Sequence, residues 1–357
     1  MPKSPTKSCK STQQRATDPH LTIALDVMGG DFGPSVTLSS ASLALSEHPN
    51  LNLLLVGQQT VIEPWLQQQP ANYQQRCKIL HAEQVVEMDE RPVSALRTKR
   101  QSSMRKALEA VAAGNAAACV SAGNTGALMA MSKLILKTLP GIERPALITA
   151  LPTMDGGRLH MLDLGANVDC DSETLFQFAL MGSAMTQVVE NIEAPRVALL
   201  NIGEEEIKGN DQIKQTAQLL QQCEDINYSG YIEGNAIFAG QADVVVCDGF
   251  VGNICLKTCE GLTSLMLAKM FPGRNLPRWK KWLIGLIFPG VVTLKKAMNP
   301  DQYNGASLLG LRGIVVKSHG NADVGAMASA ISEAVLEVER QVPDRIADML
   351  KSALLGN

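Results

Sequence analysis

The stretch Thr22–Ser35, TIALDVMGGDFGPS, decides how the rest of the chain is read. An apolar run ends in Asp26. Two glycines, Asp31, a third glycine and Pro34 follow. A continuous apolar run bounded by glycines reads as a strand buried on both faces, and the proline after the turn opens a helix. Strand, backbone-exposing turn and helix together form the unit of an α/β sheet. Such turns commonly cradle an anion.

The same grammar recurs along the chain. After LTIALD (21–26) come LNLLLVG (51–57), CKILHA (77–82), AACVSAG (117–123), ALITALP (146–152), HMLDLG (160–165), RVALLNIG (196–203), DVVVCDG (243–249) and RGIVVKSHG (312–320). Helical patterns fall between them at 35–47, 102–113, 125–138, 172–190, 211–222 and 253–271. Met327, Ala330, Ile331, Ala334, Val335 and Val338 then form one apolar stripe at helical spacing. Strands alternating with helices imply a three-layer α/β/α sandwich around a mostly parallel sheet.

The totals narrow the function. The chain has 357 residues, 45% of them hydrophobic, and a formal net charge of −3. That is enough for a large core, and it is not the basic balance of a nucleic-acid binder. The eight cysteines are scattered except Cys255 and Cys259, which lack the second pair and the histidines of a zinc site. Residues 1–20 are polar, without the apolar centre of a secretory signal, and read as a disordered tail before a single domain at 21–357. Segment 272–300, PGRNLPRWKKWLIGLIFPGVVTLKKAMNP, departs from the strand–helix grammar and reads as a helical excursion. No window has the ~18 uninterrupted apolar residues of a spanning helix.

In open α/β sheets ligands bind beyond the carboxyl ends of the strands. Six strand-end loops carry glycine there: 26–34, 121–128, 163–171, 201–210, 248–257 and 317–323. All six are expected at one rim of the sheet. Gly29, Gly30, Asp31, Gly123, Asn124, Thr125, Gly165, Asn167, Gly252 and His319 are the expected phosphate contacts. The loops match no dinucleotide fingerprint, no P-loop and no nucleophile elbow. The chemistry therefore needs no obvious protein nucleophile, since a bound oxyanion can itself attack. Asp26, Asp31, Asp163, Asp169, Asp171 and Asp248 could ligate Mg²⁺. The preferred reading makes them loop ties and helix caps, with no metal and no cofactor. Lys208 reads either as a loop charge paired with Glu204–Glu206 or as the cation that stabilises developing negative charge. Asn253 is either an N-cap or an oxyanion donor. His319 is an ordinary polar loop residue or a phosphate donor.

The segments IALDVMGGDFGP, CVSAGNTGALM, ERPAL, LDLGANVDC, ALLNIGEEEIKGN, VVVCDGFVGNICLKT and NPDQYNGASLLGLRG occur in order. Together they resemble the PlsX family, the phosphate acyltransferases of bacterial phospholipid synthesis, from about Leu21 to Val342. The resemblance implies transfer of a long-chain acyl group from acyl carrier protein to inorganic phosphate. The product would be an acyl-phosphate for a membrane glycerol-3-phosphate acyltransferase. It also implies a homodimer, a Rossmann-like fold related to isopropylmalate dehydrogenases and phosphotransacetylases, and peripheral attachment to the inner face of the cell membrane. The family's active-site lysine falls on Lys208 and its asparagine on Asn253.

Acyl carrier proteins are acidic, so Arg97, Lys99, Arg100, Arg105 and Lys106 form one candidate docking patch. The apolar stretch 282–294, beside Trp279 and flanked by Lys280, Lys281, Lys295 and Lys296, reads as an interfacial hairpin or as a dimer contact. Two other functions remain open at this stage. One is a metal- and NAD-dependent decarboxylating dehydrogenase of the isopropylmalate type. The other is a non-catalytic membrane scaffold that recruits the carrier protein.

Overall fold

The computed structural model describes residues 21–270 and 305–355. Its strands are β1 (Leu21–Asp26), β2 (Leu51–Gly57), β3 (Cys77–His81), β4 (Ala118–Ser121), β5 (Ala146–Pro152), β6 (Arg158–Leu162), β7 (Arg196–Leu200), β8 (Asn227–Ile232), β9 (Val244–Val246), β10 (Ala306–Leu309) and β11 (Ile314–Lys317). Its helices are α1 (Pro34–Glu47), α2 (Gln59–Gln67), α3 (Ala71–Arg76), α4 (Pro92–Thr98), α5 (Ser103–Ala112), α6 (Thr125–Leu136), α7 (Ser172–Val189), α8 (Asp211–Gln221), α9 (Gly249–Met270), α10 (Val324–Arg340) and α11 (Val342–Leu355). The strands form one sheet in the order β3-β2-β1-β4-β11-β10-β5-β6-β9-β7-β8.

Helices cover both faces, as the buried strands require. Side chains that alternate along a strand pack into different layers. On β1, Ile23 and Leu25 meet α1 and α10, whereas Ala24 meets the layer that holds α5 and α6. On β6, Leu162 meets α7, and Leu159 and Met161 turn to the other side. Both layers are almost wholly apolar and fully buried at their centres. The α/β/α sandwich is therefore as expected.

The pairing overturns one expectation. Strands β3, β2, β1, β4 and β11 are mutually parallel. Strand β10 is antiparallel to both β11 and β5, and β5 is antiparallel to β6. Strands β6, β9, β7 and β8 are again mutually parallel. Three reversals leave the second block running opposite to the first. The loops after β1, β4 and β11 thus lie at one rim, and those after β6, β7 and β9 lie at the other. The expectation of six glycine loops at one rim is wrong, because each half obeys the crossover rule on its own while two antiparallel strands join them.

Two strands escaped the reading of the sequence. Strand β8, NYSGYI, lies at the sheet edge and lacks a continuous apolar run. Strand β10, ASLL, has four residues. The segment 272–300, with Trp279, Lys280, Lys281, Lys295 and Lys296, lies outside the described residues, as do residues 1–20.

Candidate active site

One cleft of about 480 Å³ crosses the junction of the two sheet blocks. That volume suits a small-molecule site. Its floor is one face of β5, with Leu147, Thr149 and Leu151, continued by Ala306 of β10 and Lys317 of β11. Its wall is α9, with Asn253, Leu256, Lys257, Cys259 and Glu260. Leu164, Gly165 and Phe238 close one side, and Thr125, Ser318 and His319 another.

The position of α9 explains how the cleft joins both rims. Asp248 Oδ1 accepts the Val251 N–H at 2.8 Å, the N-cap bond that starts the helix. The helix therefore begins four residues before the expected position 253, and Asn253 lies within it rather than capping it. Gly252 packs so tightly that an added Cβ would stand 1.9 Å from the Asp163 carbonyl oxygen. An added Cβ on Gly165 would stand 3.4 Å from that of Asn253. Seven residues on, about 10 Å along the helix, Glu260 Oε1 lies 3.5 Å from His319 Nε2 on a loop of the opposite rim. Glu260 Oε2 also pairs with Lys257 Nζ at 2.8 Å.

Most of the strand-end acids serve as ties. Asp163 accepts the N–H groups of Leu147 (3.0 Å), Ala166 (3.0 Å) and Asn167 (2.6 Å), plus the Asn167 side chain (2.9 Å). Burial still holds its carboxyl above the usual range. Asp171 caps α7 through the Thr174 N–H at 2.8 Å. Asp26 accepts Ser121 Oγ at 2.7 Å, and burial raises its pKa too. Among the described residues no group of three or more His, Cys, Asp or Glu side chains has the arrangement of a metal site.

The expected phosphate contacts separate into two sets. Thr125, Gly165 and His319 line the cleft, and so does Asn253. The others brace it from behind. Gly29 abuts Gly123, where an added Cβ would come within 2.8 Å of the Gly123 nitrogen. Gly30 lines a separate, very small hollow, and the Asp31 N–H donates to the Gly320 carbonyl at 2.7 Å. Asn124 caps α6 through the Ala127 N–H at 2.9 Å and donates to the Met88 and Glu90 carbonyls. Asn167 donates to Pro145 O at 2.8 Å, and Gly252 provides the close approach of α9 to Asp163. The opening stretch 26–34 therefore supports the loop that carries His319 and is not itself cleft wall.

Lys208 is exposed in the loop after β7, on the same rim as the start of α9, and does not line the cleft. Its N–H donates to the Glu205 carbonyl at 2.9 Å. In the candidate carrier patch, Arg97 and Arg100 are exposed, whereas Lys99 pairs with Glu90 at 3.7 Å, Arg105 with Glu109 at 2.8 Å and Lys106 with the His81 carbonyl at 2.8 Å.

Two cleft residues were given no role there by the sequence: Lys317 was passed over, and Cys259 was weighed only as half of a zinc pair. Lys317 ends β11 and is buried; its ammonium donates to the carbonyls of Ala122 and Ser318. Burial pulls its pKa down to about 8, helped by Lys257 and opposed by Asp31 and Asp26. The signal was a lysine closing an apolar strand run. Cys259 is the other. A hydrogen bond from Cys255 lowers its thiol to about 7 and raises that of Cys255.

The sequence matches the family described as "Fatty acid synthesis protein" over residues 21–345. It is 55% identical over 336 residues to a phosphate acyltransferase of Shewanella baltica strain OS155, covering 94% of this chain and 98% of the relative. A phosphate acyltransferase of Shewanella sp. strain W3-18-1 is 56% identical over 335 residues, with the same coverage. The chain belongs to this family, the PlsX phosphate acyltransferases. Solved structures of more distant proteins share the fold. The EutD phosphotransacetylase from Staphylococcus aureus superposes with a TM-score of 0.58 at 18% identity, covering 90% of this chain and 94% of that one. A phosphotransacetylase from Streptococcus pyogenes gives 0.60 at 16% identity, covering 92% and 95%. A 4-hydroxythreonine-4-phosphate dehydrogenase from Klebsiella pneumoniae gives 0.52 at 14%, covering 89% and 99%. This chain thus shares a mostly parallel α/β architecture with both phosphotransacetylases and a dehydrogenase, so fold alone does not assign chemistry.

Proposed function

We propose that this protein transfers a long-chain acyl group from acyl carrier protein to inorganic phosphate. The observation that carries the reading is a cleft with an apolar floor at Leu147, Leu151 and Leu164 and a polar rim at Thr125, Asn253, Lys317 and His319. Membership of the PlsX family supports it. A phosphate oxygen attacks the thioester carbon, and the carbonyl π pair moves onto oxygen. The tetrahedral oxyanion then collapses, the C–S bond breaks, and sulfur departs with the electron pair as a thiolate that takes a proton from water. The protein's task is to align phosphate with the thioester and to stabilise the oxyanion. Asn253 is positioned to donate to it from the wall of the cleft. Lys208 supplies positive charge at the same rim.

Purified protein is expected to convert acyl carrier thioester to acyl-phosphate with phosphate alone, without ATP or nicotinamide. Loss of thioester that does not depend on phosphate would refute this. Asn253→Ala and Lys208→Ala should each lower turnover by roughly 10²-fold. Cys259 is the cleft thiol on which a covalent acyl-enzyme would form. Cys259→Ser is expected to keep turnover, and mass spectrometry should find no acyl adduct.

The same reading makes the protein a homodimer at the inner membrane surface, supplying a glycerol-3-phosphate acyltransferase. Self-association is supported by the exposed Phe250, Ile254, Leu262 and Leu265 of α9. Membrane contact is supported by the lysine pairs that flank residues 282–294 in the sequence.

A further inference from the structure

We propose that Lys317 is the cation that seats the attacking phosphate, with Lys257 of α9 lining the same cleft. This rests on the acyl-transfer reading above and adds a residue that the family resemblance did not supply.

The argument begins with the strand. Val315 packs into the layer that holds α5 and α6, and Val316 into the opposite one. Alternation therefore turns Lys317 to the cleft side of the sheet, where it lines the cavity. The residue is only 7% exposed. Burying an ammonium is costly unless its donors are satisfied or its charge is met. An ammonium has three donors, and the carbonyls of Ala122 and Ser318 account for two. Among the described residues no carboxylate forms an ion pair with it.

The neighbouring acids are only partly tied to other groups. Glu260 holds both Lys257 (2.8 Å) and His319 (3.5 Å). One oxygen of Asp26 accepts Ser121, and the other has no hydrogen-bond partner among the described residues. Asp31 sits on the brace loop, where an added Cβ on Gly320 would come 3.5 Å from its carboxylate. Lys317 therefore brings to the cleft floor a positive charge that Asp31 and Asp26 offset without a direct ion pair among the described residues. Thr125, the first residue of α6, lines the same cleft and adds the positive end of a helix. A dianion the size of phosphate answers this arrangement. The interlocked loops behind it, 26–34 against 121–124 and 317–323, hold the strand end in place.

Lys317 stays protonated throughout the reaction, so its contribution is electrostatic. Burial pulls its pKa down to about 8, and bound phosphate would raise it again. Phosphate affinity should therefore weaken as pH rises above about 8.

The test is initial-rate kinetics with varied phosphate. Lys317→Met is expected to raise the phosphate KM at least tenfold, while the KM for acyl carrier protein changes less than about twofold. Lys317→Arg should recover most of the affinity. Its guanidinium does not lose a proton in this range, so the rise in phosphate KM between about pH 8 and 9.5 should vanish. An unchanged phosphate KM in Lys317→Met, or an Arg variant with the wild-type pH profile, would overturn the proposal. A purely structural role would lower the melting temperature without moving phosphate KM. Should the Met variant not fold, the Arg pH profile decides. Should the wild type show no phosphate-dependent turnover, acyl transfer fails. Calorimetric titration of wild type and Lys317→Met with inorganic phosphate then still tests the seat, and equal affinities would reject it.

Discussion

At the scale of single residues, the buried carboxyl of Glu337 is set to couple stability to pH. Ser307 Oγ donates to it across the gap between α10 and β10. Burial, with Glu333 one turn away, pushes its pKa up to about 8 from 4.5, and the Ser307 bond only partly offsets this. Between those two values the folded chain keeps a proton that the unfolded chain has lost. Stability therefore falls as pH rises through that window. Glu337→Gln should melt above the wild type at pH 8, by the equivalent of at least ~1 kcal/mol, with the gap closing toward pH 5. Circular-dichroism melts at both values check this, and a constant gap would exclude the coupling. His160 works in the other direction. Burial holds its pKa near 4, so its neutral form favours folding as pH rises from there to about 6.5. Neither residue was legible in the sequence, because a charge within an amphipathic pattern does not say which side chains close over it. Asn253 was legible through its glycine-flanked segment, and Lys317 was not, because it ends an ordinary strand.

At the scale of elements, α9 sets the geometry of the site. Its register depends on Gly252, where a methyl group would meet the backbone oxygen of Asp163 at 1.9 Å. Backbone cannot step aside as a flexible side chain does. Gly252→Ala should cost ~1–3 kcal/mol in urea denaturation and should also depress turnover by displacing Asn253. Gly261 lies in the same helix, and among the described residues nothing comes within 4 Å of an added Cβ. Gly261→Ala should stabilise by ~0.5–1 kcal/mol and leave turnover unchanged. Equal effects at the two positions would show that packing on Asp163 does not fix the helix. The start of α9 was misjudged because the Gly-rich DGFVGN resembles a loop. The Asp248 cap makes it helical.

At the scale of the whole molecule, the long strands and helices were readable from apolar runs, whereas β8, β10, the short helices α2, α3 and α4, and strand direction were not. A run such as ALITALP declares burial on both faces but is silent on which way its neighbours point. Two of the reversals are short hairpins, β5 with β6 and β10 with β11, and only the pairing of β10 with β5 joins segments far apart in the chain. They convert an expected shared rim into a cleft between opposed halves. Assembly can be tested at the same scale. Replacing Leu262 and Leu265 by Glu should shift sedimentation from dimer to monomer. Reversing the charges of Lys280, Lys281, Lys295 and Lys296 should abolish flotation with anionic vesicles while the protein stays dimeric and active in solution. Unchanged flotation would remove the membrane role, and unchanged sedimentation would remove α9 as the dimer surface.

Two neighbouring strands at the junction of the halves come late in the chain. Strands β4 and β5 are complete by residue 152, yet β10 and β11, which fill the space between them, begin at residue 306. During synthesis on the ribosome, the nascent chain must carry two unfilled sheet edges until this hairpin emerges from the exit tunnel. The cleft between the halves takes shape only then, so every truncation before residue 317 is inactive by construction, whatever native structure its two halves reach alone.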